Sequence, residues 1–463
     1  MARPRVVAFY GSKKRDSFNL TLLKYYLERL HGIDCALHRT DSEAFVFRVV
    51  RHHRPHAVVL LDAKFPSQIA LIDEAERHGY AVVLLPTELQ ASHAAGRNAY
   101  VKQRERLARV RKFLSPGREP RQFLVEHGVF AERDVPVVGY SRYDSYAEPF
   151  AAELQLSREA FLAKYQLRGD RPIVVWASNN RLFAVTEAAD PVAARAEMMR
   201  RYRETKFDEV HDLDRWIDAF VGSHQRSVEV VKDVVRRFGD GIQLLYRPRQ
   251  GENVGRYDDT FRGVPGIRMV FDEYLGNLLA HADLVFHGFS LLGSEAWMFG
   301  KPTASYCFEG LDRYYFDGFK DCEDVVTTPG AVFDVLERLR AGGVRADAYR
   351  GAQQNFIETW YHRVDGLATA RAAAIIAGVV RERAGTPRGP GLRATEAATT
   401  QLKRVLGLEE FESLRPSRTR EIRARNLWIG RADVASWFTR FDRIFADERA
   451  RARVRDVSGG LQA

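Results

Sequence analysis

What the chain lacks narrows its class before any motif does. It has only 3 cysteines, and Cys35, Cys307 and Cys322 lie far apart with no C-x-x-C spacing. A paired-cysteine zinc cluster and a disulfide-stapled scaffold are both excluded, and three reduced thiols are expected. No apolar run approaches the roughly 18–20 residues that cross a bilayer. The opening stretch, MARPRVVAFYGSKKR, has neither the long apolar core nor the small-residue cleavage site of a secretory leader, so a cytoplasmic location is expected. Acidic residues are in deficit: 71 Lys and Arg against 61 Asp and Glu leave a formal charge of +10. Such an excess attracts phosphate on nucleic acid, anionic lipid or a nucleotide-activated substrate without choosing among them. The arginines are spread along the chain and no nucleic-acid motif accompanies them, so no nucleic-acid partner is expected.

At 463 residues the chain exceeds the roughly 250–300 at which single cores stop growing, and two principal domains plus an extension follow. Apolar runs alternate with helical patterns. RVVAFYG (5–11) precedes NLTLLKYYLERLHG, and HAVVLLDA (56–63) precedes SQIALIDEAERHG. YAVVLLPTE (80–88), KFLSP (112–116) and VPVVGYSRYD (135–144) read as further strands. Runs of Val, Leu and Ile without alternation suit strands covered on both faces. Their spacing with helices implies βαβ units and right-handed crossovers. A second series comprises PIVVWASNN (172–180), IQLLYRPR (242–249), IRMVF (267–271), ADLVFHG (282–288) and PTASYC (302–307). The expected fold is α/β, two Rossmann-like domains facing across a cleft, over 1–150 and 151–384, with a linker and basic helical extension over 385–463.

Ligands of open α/β sheets bind beyond the carboxyl ends of the strands, which singles out ADLVFHGFSLLGSEAWMFGKPTASY (282–306). A strand, a small polar turn, a helix and another strand follow in order. Small residues at a helix start let backbone N–H groups approach an anion. Ser290 and Ser294 add hydroxyls, and Glu295 stands in the first turn. The same residues also fit plain helix capping.

This stretch resembles the donor-nucleotide site of glycosyltransferases with the GT-B fold, in particular bacterial capsule and lipopolysaccharide biosynthesis proteins. The resemblance implies that Ser290 and the backbone of Leu291 and Leu292 hold donor phosphate. His287 and Gly288 would lie beside them, and Glu295 would take the ribose. LLYRPRQGEN (244–253) resembles the strand followed by R-P-H-P in such transferases, which implies Arg247 at the diphosphate; Arg249 stands where His is usual. VPVVGYSRYDSY (135–146) resembles the V-G-x-P-R-x-D stretch that closes their first domain. Ser141 replaces the Pro, while Arg142 and Asp144 keep the pattern and also fit a hinge ion pair. WASNNR (176–181) would set Ser178 and Asn179 over the diphosphate, an Asx turn being the plainer account. Nucleotide-sugar 2-epimerases and CDP-glycerol-type glycerophosphotransferases carry related stretches. They stand as alternatives, as does a non-catalytic scaffold of the same fold.

An inverting glycosyl transfer needs one carboxylate to take the acceptor hydroxyl's proton. Glu88, after the third strand, and Asp16, after the first, are the candidates; either also suits a helix N-cap. Lys13, Lys14 and Arg142 are candidates for acceptor or phosphate contacts, against a solvated surface. The histidines of RHHRPH (51–56) lack carboxylate or Cys partners, so no metal site is expected. The resemblance implies no cofactor, a nucleotide-sugar donor as substrate, and a glycan or lipid-linked acceptor as partner. NLWIGRADVASWFTRFDRIF near the C-terminus sets aromatics among arginines. That composition suits peripheral contact with the inner face of the cell membrane, or packing back on the first domain.

Overall fold

The computed structural model describes residues 3–63, 66–87, 100–180, 182, 185, 187–205, 212–249, 252–288, 290–314, 317–344, 347–385, 389–405 and 429–460. One sheet is built from β1 (Arg5–Tyr10), β2 (Asp34–Arg39), β3 (Ala57–Leu60), β4 (Ala81–Leu84) and β5 (Lys112–Phe113), in the order β2-β1-β3-β4-β5. The other contains β6 (Ile173–Ala177), β7 (Gln243–Arg247), β8 (Ile267–Met269), β9 (Leu284–His287), β10 (Thr303–Tyr306) and β11 (Asp324–Val326), in the order β11-β10-β9-β6-β7-β8. Every pairing in both is parallel. The uninterrupted aliphatic runs are central strands: β3, β4 and β6 are buried along their whole length, as helix cover on both faces demands.

VPVVGYSRYD differs from expectation. It makes a single bridge, Val137 to Ser115, and then a 3-10 turn over Ser141–Tyr146. Pro136 lacks a ladder donor, and Gly139 turns the chain at φ +93°.

The chain divides into two compact units. One joins Met1–Ala91, Tyr100–Glu153 and Thr359–Ala463; the other is built on Leu154–Glu358. The second unit thus ends at 358 rather than 384, because the chain returns to the first unit. The helix Ala368–Glu382 explains the return. It is alanine-rich and apolar around most of its circumference, with nine buried positions including Ala372, Ala373, Ile376 and Val380. Such a helix must be covered on several sides. Its first turn is capped by Asp144, whose carboxylate accepts from Ala368 N (2.9 Å) and Thr369 N (2.7 Å). Burial pushes the Asp144 carboxyl up to about 6, against the pull of these hydrogen bonds. The Asp of the V-G-x-P-R-x-D-like stretch therefore ties two distant parts of one unit together. Asp144→Ala leaves two buried N–H groups unsatisfied, and urea unfolding should show a loss of about 2–4 kcal/mol.

The C-terminal extension also belongs to the first unit. The helix Arg431–Ile444 lays Trp437, Phe438 and Phe441 on the helix Lys13–Arg29. Phe441, 0% exposed, meets Phe18, Tyr25 and Phe150 edge-on at centroid distances of 5.9, 5.4 and 6.2 Å. Trp437 stands 5.4 Å from Phe18, and its indole N–H donates to Ser17 (3.2 Å). Phe445 stacks on Tyr25 at 5.6 Å. Of the two readings of this segment, the structure takes packing: these aromatic rings meet protein.

Candidate functional site

In the second unit β6 lies between β7 and β9, and its last residue is in register with both neighbours: Ala177 pairs with Arg247 and with His287. Three loops therefore leave the carboxyl edge of the sheet at one level. They are stitched at once: Ser178 N donates to Arg247 O (2.9 Å), and the Asn179 side-chain amide donates to Gly288 O. The Tyr306 hydroxyl, from the next strand, donates to Ala177 O (2.9 Å). Gly288 is required here, since a Cβ at this position would stand 2.5 Å from the Tyr306 ring. The sheet thus brings Ser178, Asn179, Arg247, Gly288 and the Ser290 turn to one edge.

The turn after β9 is capped largely from within. The Ser290 hydroxyl accepts from Leu292 N (3.3 Å), and Ser294, fully buried, donates to Leu291 O (2.7 Å). The helix that follows is short, Leu292–Met298. Glu295 is buried within it. Ser290 and Leu291 are half-buried, so solvent reaches this turn at those two residues.

His287 does not join them. Its side chain is fully buried, with Nε2 at 2.8 Å from Glu323 Oε2. The same oxygen accepts from Thr303 Oγ1, which accepts from Trp297 Nε1 (2.8 Å). The implied donor contact for His287 is corrected to a packing role, because the inward-facing position of the strand end is covered by the helix Leu292–Met298. Gly293 makes that cover possible: a Cβ there would lie 2.4 Å from His287 Nε2 and 3.3 Å from Glu323 Oε2. Gly293→Ala should destabilise the chain by about 1–3 kcal/mol through overpacking, read as a lower denaturant midpoint.

In the first unit, Asp16 is 0% exposed. Its carboxylate accepts from Gly11 N (3.2 Å), Ser12 N (3.0 Å), Arg15 Nε (2.8 Å) and Thr87 Oγ1 (3.4 Å). A carboxylate so engaged organises the turn between β1 and the helix Lys13–Arg29; it is not presented as a proton acceptor, and its reading as the base is corrected accordingly. Glu88, the other candidate, lies outside the described residues. Lys13 is bridged to Asp433 at 2.8 Å, Lys14 is exposed and Arg142 is half-buried. Ser141, next to Arg142, receives a hydrogen bond from Asn19 (3.4 Å), which sets the 3-10 turn against the helix Lys13–Arg29.

Sequence reading passed over the residues that join the strand-end loops. Glu252 is buried and accepts from Ser178 Oγ (3.0 Å), Asn180 N (2.9 Å) and Tyr257 OH (2.6 Å). Burial raises its carboxyl above the usual range, while those donors pull it down. Tyr257 OH in turn stands 3.3 Å from His224 Nε2, whose burial lowers it to about 4. The one available signal was an acid set among small and polar residues in RPRQGEN, a weak one in sequence. A shallow depression of about 530 Å³ opens at the opposite, amino edge of this sheet, lined by Arg158, Arg171, Asp283 and Lys301 among others. Ligands of open α/β sheets bind at the carboxyl edge, so the candidate site is the loop cluster and not this depression.

Neither a family model nor a curated protein matches the chain. Solved structures do resemble it. The S. aureus MnaA–UDP co-structure is 11% identical with a TM-score of 0.53, over 84% of this chain and 100% of that one. A putative UDP-N-acetylglucosamine 2-epimerase from Listeria monocytogenes is 13% identical with a TM-score of 0.51, over 85% and 100%. The wall teichoic acid polymerase TagF is 13% identical with a TM-score of 0.51, over 82% and 90%. At these identities the likeness is one of fold. It agrees with the expected fold class: two Rossmann-like α/β domains of GT-B type, with helices at the C-terminal end.

Proposed function

We propose that this chain is an enzyme acting on a nucleotide-activated sugar, and specifically a glycosyltransferase that moves the sugar to a surface polysaccharide or glycolipid acceptor in the cytoplasm. The observation that carries the reading is the in-register meeting of Arg247, the Ser178–Asn180 loop and Gly288 at one carboxyl sheet edge. That is where an open α/β sheet takes a ligand. In this reading Arg247 neutralises the diphosphate, as a guanidinium suits phosphate oxygens, and the half-buried Ser290–Leu291 turn lies against the same group. Glu295 takes the ribose, and stabilisation of the leaving nucleotide comes from fixed cations and amide dipoles. Lys13, Lys14 and Arg142 offer contacts to an acceptor or to phosphate in the first unit. Glu88 is the remaining candidate for the base.

The structural neighbours give a second reading its support. The names of two of them are those of a UDP-sugar 2-epimerase and a teichoic acid polymerase, so epimerisation of a free UDP-sugar or glycerophosphate transfer fits the same fold. One experiment separates them. The protein is incubated with labelled UDP-sugars and CDP-glycerol, with and without a glycan or lipid-linked acceptor. Transfer only in the presence of acceptor supports the glycosyltransferase. A 2-epimer formed without acceptor overturns it in favour of the epimerase, and consumption of CDP-glycerol alone favours glycerophosphate transfer.

A further inference from the structure

The loops at the carboxyl edge of the second sheet are held by a side chain to which the motif resemblances give no role. Glu252 is 4% exposed. Its own N–H donates to Arg249 O (3.1 Å), two residues beyond the end of β7. Its Oε1 accepts from Ser178 Oγ and Asn180 N, both in the loop after β6, at 3.0 and 2.9 Å. Its Oε2 accepts from the hydroxyl of Tyr257, on the helix Val254–Thr260, at 2.6 Å. One carboxyl group therefore joins three segments. Asn179, which the resemblance sets over the diphosphate, lies between the two anchors Ser178 and Asn180, and Arg247, which the proposed reading sets at the diphosphate, ends the strand that leads to Glu252. A buried carboxylate is tolerated when its oxygens are satisfied, and here three donors converge on it.

We propose that Glu252 is the positioning residue of the nucleotide site: it clamps the Ser178–Asn180 loop to the chain that follows β7, so that Arg247 and Asn179 hold a fixed separation before an anion arrives. The identity of the anion rests on the nucleotide-sugar reading; the clamp does not. Glu252 acts through these neighbours, and its contribution is preorganisation, which lowers the ordering cost of binding. A corollary concerns Ser178. Its hydroxyl proton is committed to Glu252, so Ser178 serves as a strut of the site rather than as a phosphate donor.

A clamp made of hydrogen bonds differs from a charge that touches ligand, and glutamine tells them apart. In Glu252→Gln the amide oxygen still accepts from Ser178 and Asn180. The amide NH2 then donates to the Tyr257 oxygen, and the Tyr257 hydroxyl turns to His224 Nε2, 3.3 Å away. His224 is suited to accept, because burial keeps its imidazole neutral at ordinary pH. In Glu252→Ala the Asn180 N–H loses its acceptor, and both loops are released.

The test titrates the full chain and its variants with UDP and with CDP by calorimetry, and follows the Asn180 amide by hydrogen exchange. Glu252→Ala should weaken nucleotide binding about 10- to 100-fold and open the Asn180 amide to exchange. Glu252→Gln should stay within about threefold of wild type with that amide protected, a rescue that ionic contact with ligand would not permit. Val335→Ala, a cavity in the same unit's core away from these loops, controls for general loosening and should leave affinity unchanged. Wild-type affinity in Glu252→Ala, or equal weakness in Glu252→Ala and Glu252→Gln, would overturn the proposal. If wild type binds neither UDP nor CDP, the nucleotide reading fails; the clamp is then still decided by exchange, and wild-type protection of Asn180 in Glu252→Ala overturns it.

Discussion

Replacing Phe441 by alanine is expected to lower the stability of the first unit by about 3–5 kcal/mol, the usual cost of emptying a fully buried phenyl position. The size of the effect follows from the surroundings. Phe441 packs edge-on against Phe18, Tyr25 and Phe150 and stacks with Trp437 at 5.7 Å. Aromatic pairs in this geometry add to what burial alone supplies. Polar ties accompany them: Tyr25 OH donates to Asp442 (2.9 Å), and Ile429 N donates to Tyr10 OH (2.6 Å). Equilibrium unfolding in urea, followed by near-ultraviolet circular dichroism, reads both the loss and the change in ring packing. The same variant separates the two accounts of the extension. If these rings served a membrane surface, Phe441→Ala would reduce binding to anionic vesicles and leave the unfolding midpoint where it was.

Arg247→Ala should weaken UDP binding by about 10- to 150-fold, which is what losing a charge-assisted hydrogen bond of about 1.5–3 kcal/mol implies. Arg247 closes β7 beside the last residue of β6, and its carbonyl receives Ser178 N. Those backbone bonds survive truncation of the side chain, so the fold should persist while affinity falls. Arg158→Ala, at the amino-edge depression, is the matched control: it removes the same charge and should leave UDP affinity unchanged. Calorimetry on both variants decides the location of the site, because equal affinity in wild type and Arg247→Ala would remove the carboxyl edge from consideration.

The central strands were legible because burial on both faces writes itself as unbroken Val, Leu and Ile, as in AVVL of β3 and again of β4. Of the edge strands, β5 and β8 were legible in KFLSP and IRMVF, but β2 and β11 were not. β2, DCALHR, is half-buried at four of its six positions, and β11 is only DVV. Neither has the aliphatic run that marks a buried strand, and each pairs with one neighbour only. The site was legible in outline, since the ends of β6, β7 and β9 could be placed from their strands. Its internal wiring was not. Whether Ser178 faces a ligand or Glu252, and whether His287 faces solvent or Glu323, depends on which way side chains turn at strand ends. Strand periodicity does not extend into loops. Asp16 illustrates the same point: an acid after a strand reads alike whether it is offered to a substrate or folded inward on Gly11 and Ser12. The return of the chain at Thr359 was hidden for a different reason, because an alanine-rich helix such as Ala368–Glu382 suits the cover of either sheet.

That return has a consequence for how the protein is made. Among the described residues the second unit is a continuous stretch, Leu154–Glu358, set within the first, whose own parts lie on both sides of it in sequence. During synthesis from the N-terminus the inserted unit is complete once residue 358 has left the ribosome. The first unit still lacks the helix that Asp144 caps and the rings that cover Phe18, Tyr25 and Phe150. The core of the first sheet, Val7 to Val135, emerges before the second unit, but the first unit is completed last. In the interval the growing chain exposes an aromatic face of the first unit, the kind of surface that chaperones engage, until the segment around Phe441 emerges to close it.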